Sequence, residues 1–233
     1  IFKAPTYGSY FFRLSGLSID MNWFAFNLGI VLLFNFFMKK NSQNKFISFS
    51  SFILVILTFS RTIFLGLFIS LLTNTKFLLR FFISMVLIFL CMYYLYLFNE
   101  SFAIFIQERF SFGVQDSAGI HIKYLNISFA NFLEHPFFGT GYSTFYFYTD
   151  NPSNHYMNVH NMYLSFLSET GVICFFLLIV LIFYPLIFCR LKVFRSILIF
   201  LAITGLTYQF YTSLLFWFLI IAIWNYRRLN TNG

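Results

Sequence analysis

Basic side chains stand where this sequence changes from polar to apolar. Arg61 interrupts the apolar run "ILTFSRTIFLGLF", Arg109 lies in "ERFSFG", and His160 precedes "NMYLSFLSETG". An arginine guanidinium can donate two parallel hydrogen bonds to a phosphate group, and histidine can accept a proton near neutral pH. Together with Lys123, these residues favour a site that binds an anionic substrate and activates a hydroxyl group.

A simpler interpretation stays open for each of them. The Arg61 side chain could reach the lipid headgroups while its stem lies in the apolar layer. Arg109 follows Glu108, and an exposed ion pair of this kind contributes little. His160 could be a structural histidine whose hydrogen bonds are satisfied by the surrounding loop. The side-chain chemistry alone does not choose between a site and these structural roles.

A polar stripe follows His160 along the chain. Asn161, Ser165 and Ser168 recur at helical spacing with Glu169 beside them, which predicts a helix that begins near His160 or Asn161. We expect this stripe to line a wet pocket that includes Asn161, Ser165 and Glu169. The other histidines have weaker claims, because none of them opens a helix that continues into the membrane: His121, His135 and His155.

The composition places these residues in a membrane protein. Of the 233 residues, 60% are apolar and only 9% are charged, and the mean hydropathy is +0.79, which is unusual for a soluble domain. Apolar runs of roughly 20 residues cross a bilayer as helices. We predict an all-α, polytopic fold with seven spanning helices, near residues 21–38, 46–60, 62–75, 79–98, 171–189, 196–211 and 213–225.

The charges predict the side of the membrane on which each loop lies, because Lys and Arg concentrate in cytoplasmic loops. One assignment puts ten of them inside, namely Lys39, Lys40, Lys45, Lys76, Arg80, Arg190, Lys192, Arg195, Arg227 and Arg228. It puts five outside, namely Lys3, Arg13, Arg61, Arg109 and Lys123. All seven acidic residues also fall outside. The net charge of +8 is therefore a topology signal rather than a nucleic-acid-binding surface, and the C-terminus is predicted to be cytoplasmic.

This topology divides the chain into three parts. Residues 1–98 carry the first spanning helices, residues 99–170 form a large external loop, and residues 171–233 return to the membrane and end in a short tail. Inside the loop, "AGIHIKYLNISFANFLEHP" spaces its apolar residues as a helix that lies on or against the membrane face. The proline and glycines of the following "HPFFGTG" end this helix. Loops this long are usually functional, so we expect the site there.

The sequence carries no signal for cleavage or for metal binding. The chain opens on Ile1 without the residue order of a signal peptide, so we expect it to be the C-terminal portion of a longer protein. Cys91, Cys174 and Cys189 lie inside apolar runs, where a thiol behaves as a small hydrophobe. We therefore expect no disulfide, no metal site and no cofactor.

Four segments form a pattern when they are taken in order. They are "RLSGLSIDMNWFAFNLG", "LTFSRTIFLGL", "ERFSFG", and "HPFFGTGYSTF" followed by "HNMYLSFLSETGVI". Their key residues are Arg13, Gly16, Asn22 and Ala25; Ser60 and Arg61; Arg109; and Pro136, Gly139, Gly141, Phe145, His160, Asn161, Leu164, Glu169 and Gly171. This pattern resembles the O-antigen ligase and polymerase family, bacterial membrane glycosyltransferases that act on undecaprenyl-pyrophosphate-linked glycans.

The resemblance implies a role for several of these residues. Arg61 and Arg109 would neutralise the pyrophosphate of the lipid-linked donor, and Arg13 could line the same pocket. His160 would deprotonate the attacking sugar hydroxyl, and no metal would be required because arginine supplies the charge. The implied setting is the bacterial inner membrane, with the external loop in the periplasm and a chain-length regulator as an expected partner.

Polymerases and ligases share these motifs and differ in their acceptor, which is another lipid-linked repeat unit for the polymerase and lipid A core for the ligase. The 39 Phe residues, with abundant Asn, Lys, Ile and Tyr, are typical of AT-rich coding, which is frequent in surface-polysaccharide gene clusters. We therefore favour a polymerase, with a ligase as the alternative. A small-anion transporter would also need cations and a wet cavity, and a structural subunit would need no site.

Overall fold

The computed structural model describes residues 21–37, 42–58, 60–72, isolated positions between 86 and 100, and then 117–149, 159–189 and 191–231. Helices form the regular structure of these residues, and no strand occurs among them. The all-α prediction is therefore confirmed for the described part of the chain. The chain forms two compact units, Ile1–Ser111 and Phe112–Gly233.

Apolar helices form the described core of the first unit. They are, in chain order, α1 (Met21–Phe37), α2 (Ser42–Leu57) and α3 (Arg61–Leu71). The first of these helices packs against both of the others. Phe26 and Leu33 of α1 are fully buried, as is Leu67 of α3. Dense apolar packing therefore holds these three helices together.

The outward side of α2 is apolar as well. Phe46, Phe49 and Leu57 lie on one helical face and are exposed, to 72% in the case of Phe46. The surface helix of a soluble protein places polar residues on its outward face. An apolar exterior over an apolar core is instead typical of a helix that faces lipid.

The second unit is built around one long helix. Its elements are α4 (Ser117–Glu134), a 3-10 turn (Phe145–Tyr148), α5 (Met162–Phe188), α6 (Lys192–Thr204), a second 3-10 turn (Phe210–Thr212) and α7 (Leu214–Thr231). α5 packs against α4, α6 and α7. The Trp224 indole N–H of α7 donates to the Leu181 carbonyl at 3.1 Å, and the Trp224 ring stacks on Tyr184. The long helix therefore packs against each of the other α-helices described in this unit.

The structure supports fewer complete spans than the sequence predicted. Among the described residues, only α5 is both long and apolar enough to cross a bilayer by itself. The other apolar helices are shorter; α3, with 11 residues, extends about 16 Å against ~30 Å of hydrocarbon. The prediction of seven spanning helices is not confirmed.

The span predicted at residues 196–211 is misplaced. The helix there, α6, begins at Lys192 and ends at Thr204, and the chain then turns back along α5. The Gly205 carbonyl accepts the Met162 N–H at 2.7 Å. Phe210 and Tyr211 are buried, so their aromatic character reflects packing inside the protein rather than contact with lipid.

The helix predicted after residue 117 is present as α4, but its buried face is polar. Ser128 and Asn131 are buried, whereas Phe129 and Leu133 are 51% and 62% exposed. The Ser128 hydroxyl donates to the Ser168 hydroxyl of α5 at 2.7 Å. A hydroxyl contact therefore joins the two helices, and the apolar stripe of α4 faces outward.

Candidate functional site

The loop after α4 crosses α5 at a pair of glycines. Gly171 interrupts α5 with φ 76° and ψ 177°, a backbone conformation that is essentially restricted to glycine. Gly139 also has a positive φ, of 68°. A Cβ on Gly139 would overlap the backbone of Glu169, and a Cβ on Gly171 would overlap the carbonyl of Phe137. The two backbones are therefore in direct contact, and this contact requires glycine on both sides.

The interruption in α5 leaves polar backbone groups without helical partners, and the loop supplies them. The Gly141 N–H donates to the Glu169 carbonyl at 2.9 Å. In the other direction, the Val172 N–H donates to the Pro136 carbonyl at 2.9 Å. Helix ends need such partners, and an unpaired backbone group in an apolar layer costs several kcal/mol. The loop therefore completes the helix at this point.

A buried chain of hydrogen bonds lies next to this crossing. Gln209 Nε2 donates to Ser165 Oγ at 2.7 Å, and Ser165 Oγ lies 2.7 Å from the Tyr211 hydroxyl. The Tyr211 hydroxyl donates to Glu169 Oε2 at 2.9 Å. Because each hydroxyl has one proton, Ser165 donates to Tyr211 and the chain runs in one direction, from amide to carboxylate. The Ser143 backbone N–H also hydrogen-bonds to Glu169.

These contacts correct one expectation about the polar stripe. The sequence predicted that the stripe faces water, yet Ser165 and Glu169 are only 0% and 4% exposed. The stripe faces the turn that contains Gln209 and Tyr211, because their amide and phenol groups satisfy it. Burial, and then the Glu169 carboxylate, raise the pKa of Tyr211. The phenol therefore stays protonated and acts as a hydrogen-bond donor.

The direction of this hydrogen-bond chain gives a prediction for Tyr211→Phe. The substitution removes one hydroxyl and leaves both Ser165 and Glu169 without that partner. Buried groups that lose a partner cost about 1–3 kcal/mol each, so we expect a clearly lower melting temperature in detergent.

The matched control is Tyr163→Phe. The Tyr163 hydroxyl makes one bond, to the Ala202 carbonyl, at 2.9 Å. We expect this loss to lower the melting temperature less. Equal melting temperatures for the two variants would contradict the idea that the chain through Tyr211 acts as a unit.

His160 lies in a strained turn immediately before α5. Its φ is 52°, a left-handed conformation that is uncommon outside glycine, and such strain clusters at functional sites. Asn161 caps the helix: its side chain accepts the Leu164 N–H and donates to the Leu206 carbonyl, both at 2.9 Å. The predicted start of the helix is confirmed, and the cap fixes the backbone that carries His160.

Two aromatic rings contact the His160 ring. The His121 ring of α4 lies edge-to-face with it, with 4.6 Å between ring centroids. Tyr208, in the turn after α6, lies at 5.5 Å and also stacks on Phe210. Burial lowers the pKa of His121, which keeps its imidazole neutral near pH 7. His160 therefore has a neutral imidazole on one side and a phenol ring on another.

The predicted site residues are divided between the two units of the chain. His160, Asn161, Ser165 and Glu169 come together around the first turns of α5 in the second unit. Lys123 is exposed on α4 of that unit. Arg61 belongs to the first unit, where it is exposed and is the first residue of α3. Two further arginines, Arg13 and Arg109, lie outside the described residues.

Sequence reasoning missed several residues that shape this site. His121 was given a weaker claim, yet it contacts His160. Gln209 and Tyr211 were assigned to a spanning helix, yet they anchor the hydrogen-bond chain. The polar cluster "TYQFYTS" at residues 207–213 was the available signal, because it interrupts an apolar run. No sequence signal could have paired His121 with His160, since the contact joins distant segments.

The comparison with known families covers most of these elements. A family model described as O-antigen ligase matches residues 46–179, more than half of the chain. The matched range includes Arg61, His121 and His160, together with both glycines of the crossing. No curated protein sequence matches the chain.

Proposed function

The chain belongs to the O-antigen ligase family, and from that premise we propose that it is a polymerase of O-antigen or another surface polysaccharide. It transfers glycan from an undecaprenyl-pyrophosphate-linked donor to a sugar hydroxyl of another lipid-linked repeat unit. The acceptor oxygen attacks the anomeric carbon of the donor, and the bond to the pyrophosphate breaks. The pyrophosphate leaves with the bonding electron pair, and the hydroxyl proton passes to His160.

The observation that carries this proposal is the placement of His160. It sits in a strained backbone conformation, fixed by the Asn161 cap and by ring contacts with His121 and Tyr208. A general base must be held in a defined orientation to accept a proton from a bound hydroxyl. The buried network through Ser165 and Glu169 supports this role, because it fixes the helix that follows.

Arginine supplies the charge in this proposal. Arg61 and Arg109 bind the pyrophosphate, and Arg13 and Lys123 contribute further positive charge. Arg61 is exposed at the N-terminus of α3, which has no acidic residue in its first turn. Backbone N–H groups and the helix dipole at such an end also favour an anion. Fixed cations directed at a leaving group stabilise the developing charge without a metal.

The apolar exterior of the described helices supports a position in the bacterial inner membrane. On α7, Leu214 and Phe218 are 89% and 67% exposed, and α5 carries exposed apolar residues along its second half, such as Phe176 and Ile187. We place residues 99–170 in the periplasm and the C-terminus in the cytoplasm, in accord with the distribution of Lys and Arg. A chain-length regulator is the expected protein partner.

The experiment that tests this function is a gel of lipopolysaccharide from a strain that lacks the gene. For a polymerase we expect core with a single repeat unit and no ladder, and wild-type protein should restore the ladder. We expect Arg61→Ala to restore none of it, and Arg61→Lys only part, because lysine keeps the charge but loses the two-pronged donor geometry. Protein abundance in the membrane serves as the control.

Other gel patterns would overturn the polymerase. Bare core, with polymer still attached to the lipid carrier, would assign the chain as a ligase. An unchanged ladder would exclude both glycan transfer reactions and would favour a transporter of small anions. A full ladder with Arg61→Ala would remove that residue from the pyrophosphate site.

A further inference from the structure

We propose that the loop after α4 inserts into the bilayer leaflet on the side where α5 begins, with Phe137 and Phe138 at its tip. The partner of this surface is the layer of lipid acyl chains just below the headgroups. α4 and the first turns of α5 lie along the membrane surface, and only residues 172–188 of α5 cross it. This inference goes beyond the proposed function and does not depend on it.

α5 bends sharply at Gly171. A straight helix of 27 residues would be about 40 Å long, whereas α6, with 13 residues and its short connections, extends about 30 Å at most. Yet α6 contacts both ends of α5. The Met162 N–H donates to the Gly205 carbonyl at 2.7 Å, and the Arg195 guanidinium donates to the Cys189 carbonyl at 3.1 Å. The two parts of α5 therefore meet at roughly a right angle.

The part of α5 after Gly171 is the part that suits lipid. Residues 172–188 extend about 26 Å, close to the ~30 Å of hydrocarbon in a bilayer. Their outward side chains are apolar from the first turn onward, as Ile173 and Phe176 illustrate. The residues of α5 that belong to the buried hydrogen-bond chain all precede Gly171. Gly171 therefore lies near the boundary of the hydrocarbon layer.

The start of α7 marks the same boundary. Trp224 of α7 bonds to Leu181 of α5, and Leu214 precedes Trp224 by as many residues as Gly171 precedes Leu181. The two helices run in the same direction, because Tyr211, just before α7, bonds to the part of α5 before Gly171. With an equal rise per residue, Leu214 and Gly171 lie at the same depth. Leu214 is exposed, so both helices become apolar outside at this level.

α4 runs beside the part of α5 that precedes Gly171. Its Ser128 hydroxyl donates to the Ser168 hydroxyl, and its His121 ring contacts the His160 ring. Two contacts this far apart along both segments show that they lie side by side. A segment at a right angle to a spanning helix lies along the membrane surface, and α4 therefore lies along it too.

The surface that this arrangement leaves open is apolar. Ile122, Phe129 and Leu133 form a stripe on one face of α4 and are exposed. The apolar surface continues into the loop, where Phe137 and Phe138 are 64% and 82% exposed. The loop crosses α5 at the level where its lipid-facing side begins, so the two apolar surfaces are continuous. Helices in the membrane surface bury such a stripe among the headgroups and the first acyl carbons.

The test places a fluorine label at single positions of the full-length protein in lipid nanodiscs. Trifluoromethyl-phenylalanine replaces Phe138, Leu133, Phe176 or Glu134, one at a time, and thermal melting confirms that each protein is folded. In the fluorine NMR spectrum, a nitroxide on the acyl chains broadens labels that lie in lipid, and a gadolinium chelate broadens labels that lie in water. Phe176 is the control expected in lipid. Glu134 is exposed next to Leu133 and is the control expected in water.

We expect the acyl-chain nitroxide to broaden the signals at Phe138 and Leu133 as strongly as the signal at Phe176. The gadolinium chelate should leave all three unchanged and should broaden the signal at Glu134. A nitroxide close to the headgroup should act most on Phe138. A nitroxide deeper in the chain should act more on Phe176, which lies about 8 Å beyond Gly171 along the helix.

Two results would overturn the inference. Broadening of the signals at Phe138 and Leu133 by the gadolinium chelate alone would place the loop in water. Broadening by neither reagent would mean that protein covers this surface, either a second copy of the chain or another partner. Both results leave the proposed glycan transfer intact, because the gel of lipopolysaccharide measures that reaction separately.

Discussion

Gly171→Ala is expected to leave almost no folded protein in the membrane. The conformation of Gly171 is open essentially only to glycine, and a side chain there costs about 1–3 kcal/mol from strain alone. The new Cβ would also overlap the Phe137 carbonyl. Backbone cannot move away as a flexible side chain can, so the loop must separate from α5 and give up its hydrogen bonds to the helix. Membrane abundance and thermal melting in detergent measure the loss.

Two other glycines act as comparisons for this prediction. Gly139→Ala meets the same crossing from the loop side, where its Cβ would overlap the Glu169 backbone, and should be equally damaging. Gly141→Ala also has a positive φ, of 105°, but its Cβ would approach only a methyl group of Thr144, at 3.2 Å. It should therefore show the cost of strain without the overlap. Equal stability of Gly171→Ala and wild type would refute the backbone crossing.

His160→Asn is the second substitution with a large expected effect. Asparagine tolerates a positive φ better than most residues, so the variant should fold, but it cannot accept a proton. Loss of a general base costs typically 10²–10⁴-fold in rate. We expect kcat to fall by this amount with a small change in the donor KM, and the gel should show no ladder.

Two further variants show whether the loss of activity is specific to the imidazole of His160. His135→Ala changes an exposed histidine of the same unit and should keep full activity. His160→Ala removes the base as well but adds backbone strain, so it should lose both activity and some thermal stability. Retained ladder formation by a well-folded His160→Asn would exclude His160 as the base.

Local signals in the sequence predicted local structure well. The start of α5 could be predicted because Asn161 is a strong helix-capping residue, and the structure shows its side chain bonded to the Leu164 N–H. The break after α4 could be predicted because glycines follow Pro136. Both depend on neighbouring residues, so no knowledge of the packing was required.

Burial could not be predicted from hydrophobicity in the same way. The apolar stripe of α4 was expected on the membrane face, and Phe129 is indeed exposed, but the burial of Ser128 on the opposite side could not be predicted. In a protein surrounded by lipid, apolar residues are stable outside and polar residues must find partners inside. The same reversal explains why the buried Tyr211 was assigned to a spanning helix.

Contacts between segments that are distant in the sequence could not be predicted at all. His121 and His160 are joined only by the packing of α4 beside the turn before α5. The hydrogen-bond chain from Gln209 to Glu169 likewise requires α6 to end at Thr204 so that the following turn reaches α5. A single chain without aligned relatives contains no record of such pairings. The position of His160 immediately before α5 could be predicted, because it depends on neighbouring residues, and its role as a base stays a prediction.

The crossing of Gly139 and Gly171 also constrains how this sequence can diverge over time. Neither glycine can gain a side chain while the other backbone stays in place, because the new Cβ would overlap the backbone of the segment that it crosses. Related sequences should therefore keep both glycines or replace the whole crossing together. Exposed residues beside the crossing, such as Phe138 at 82% exposure, can vary independently of the glycines as long as they stay apolar.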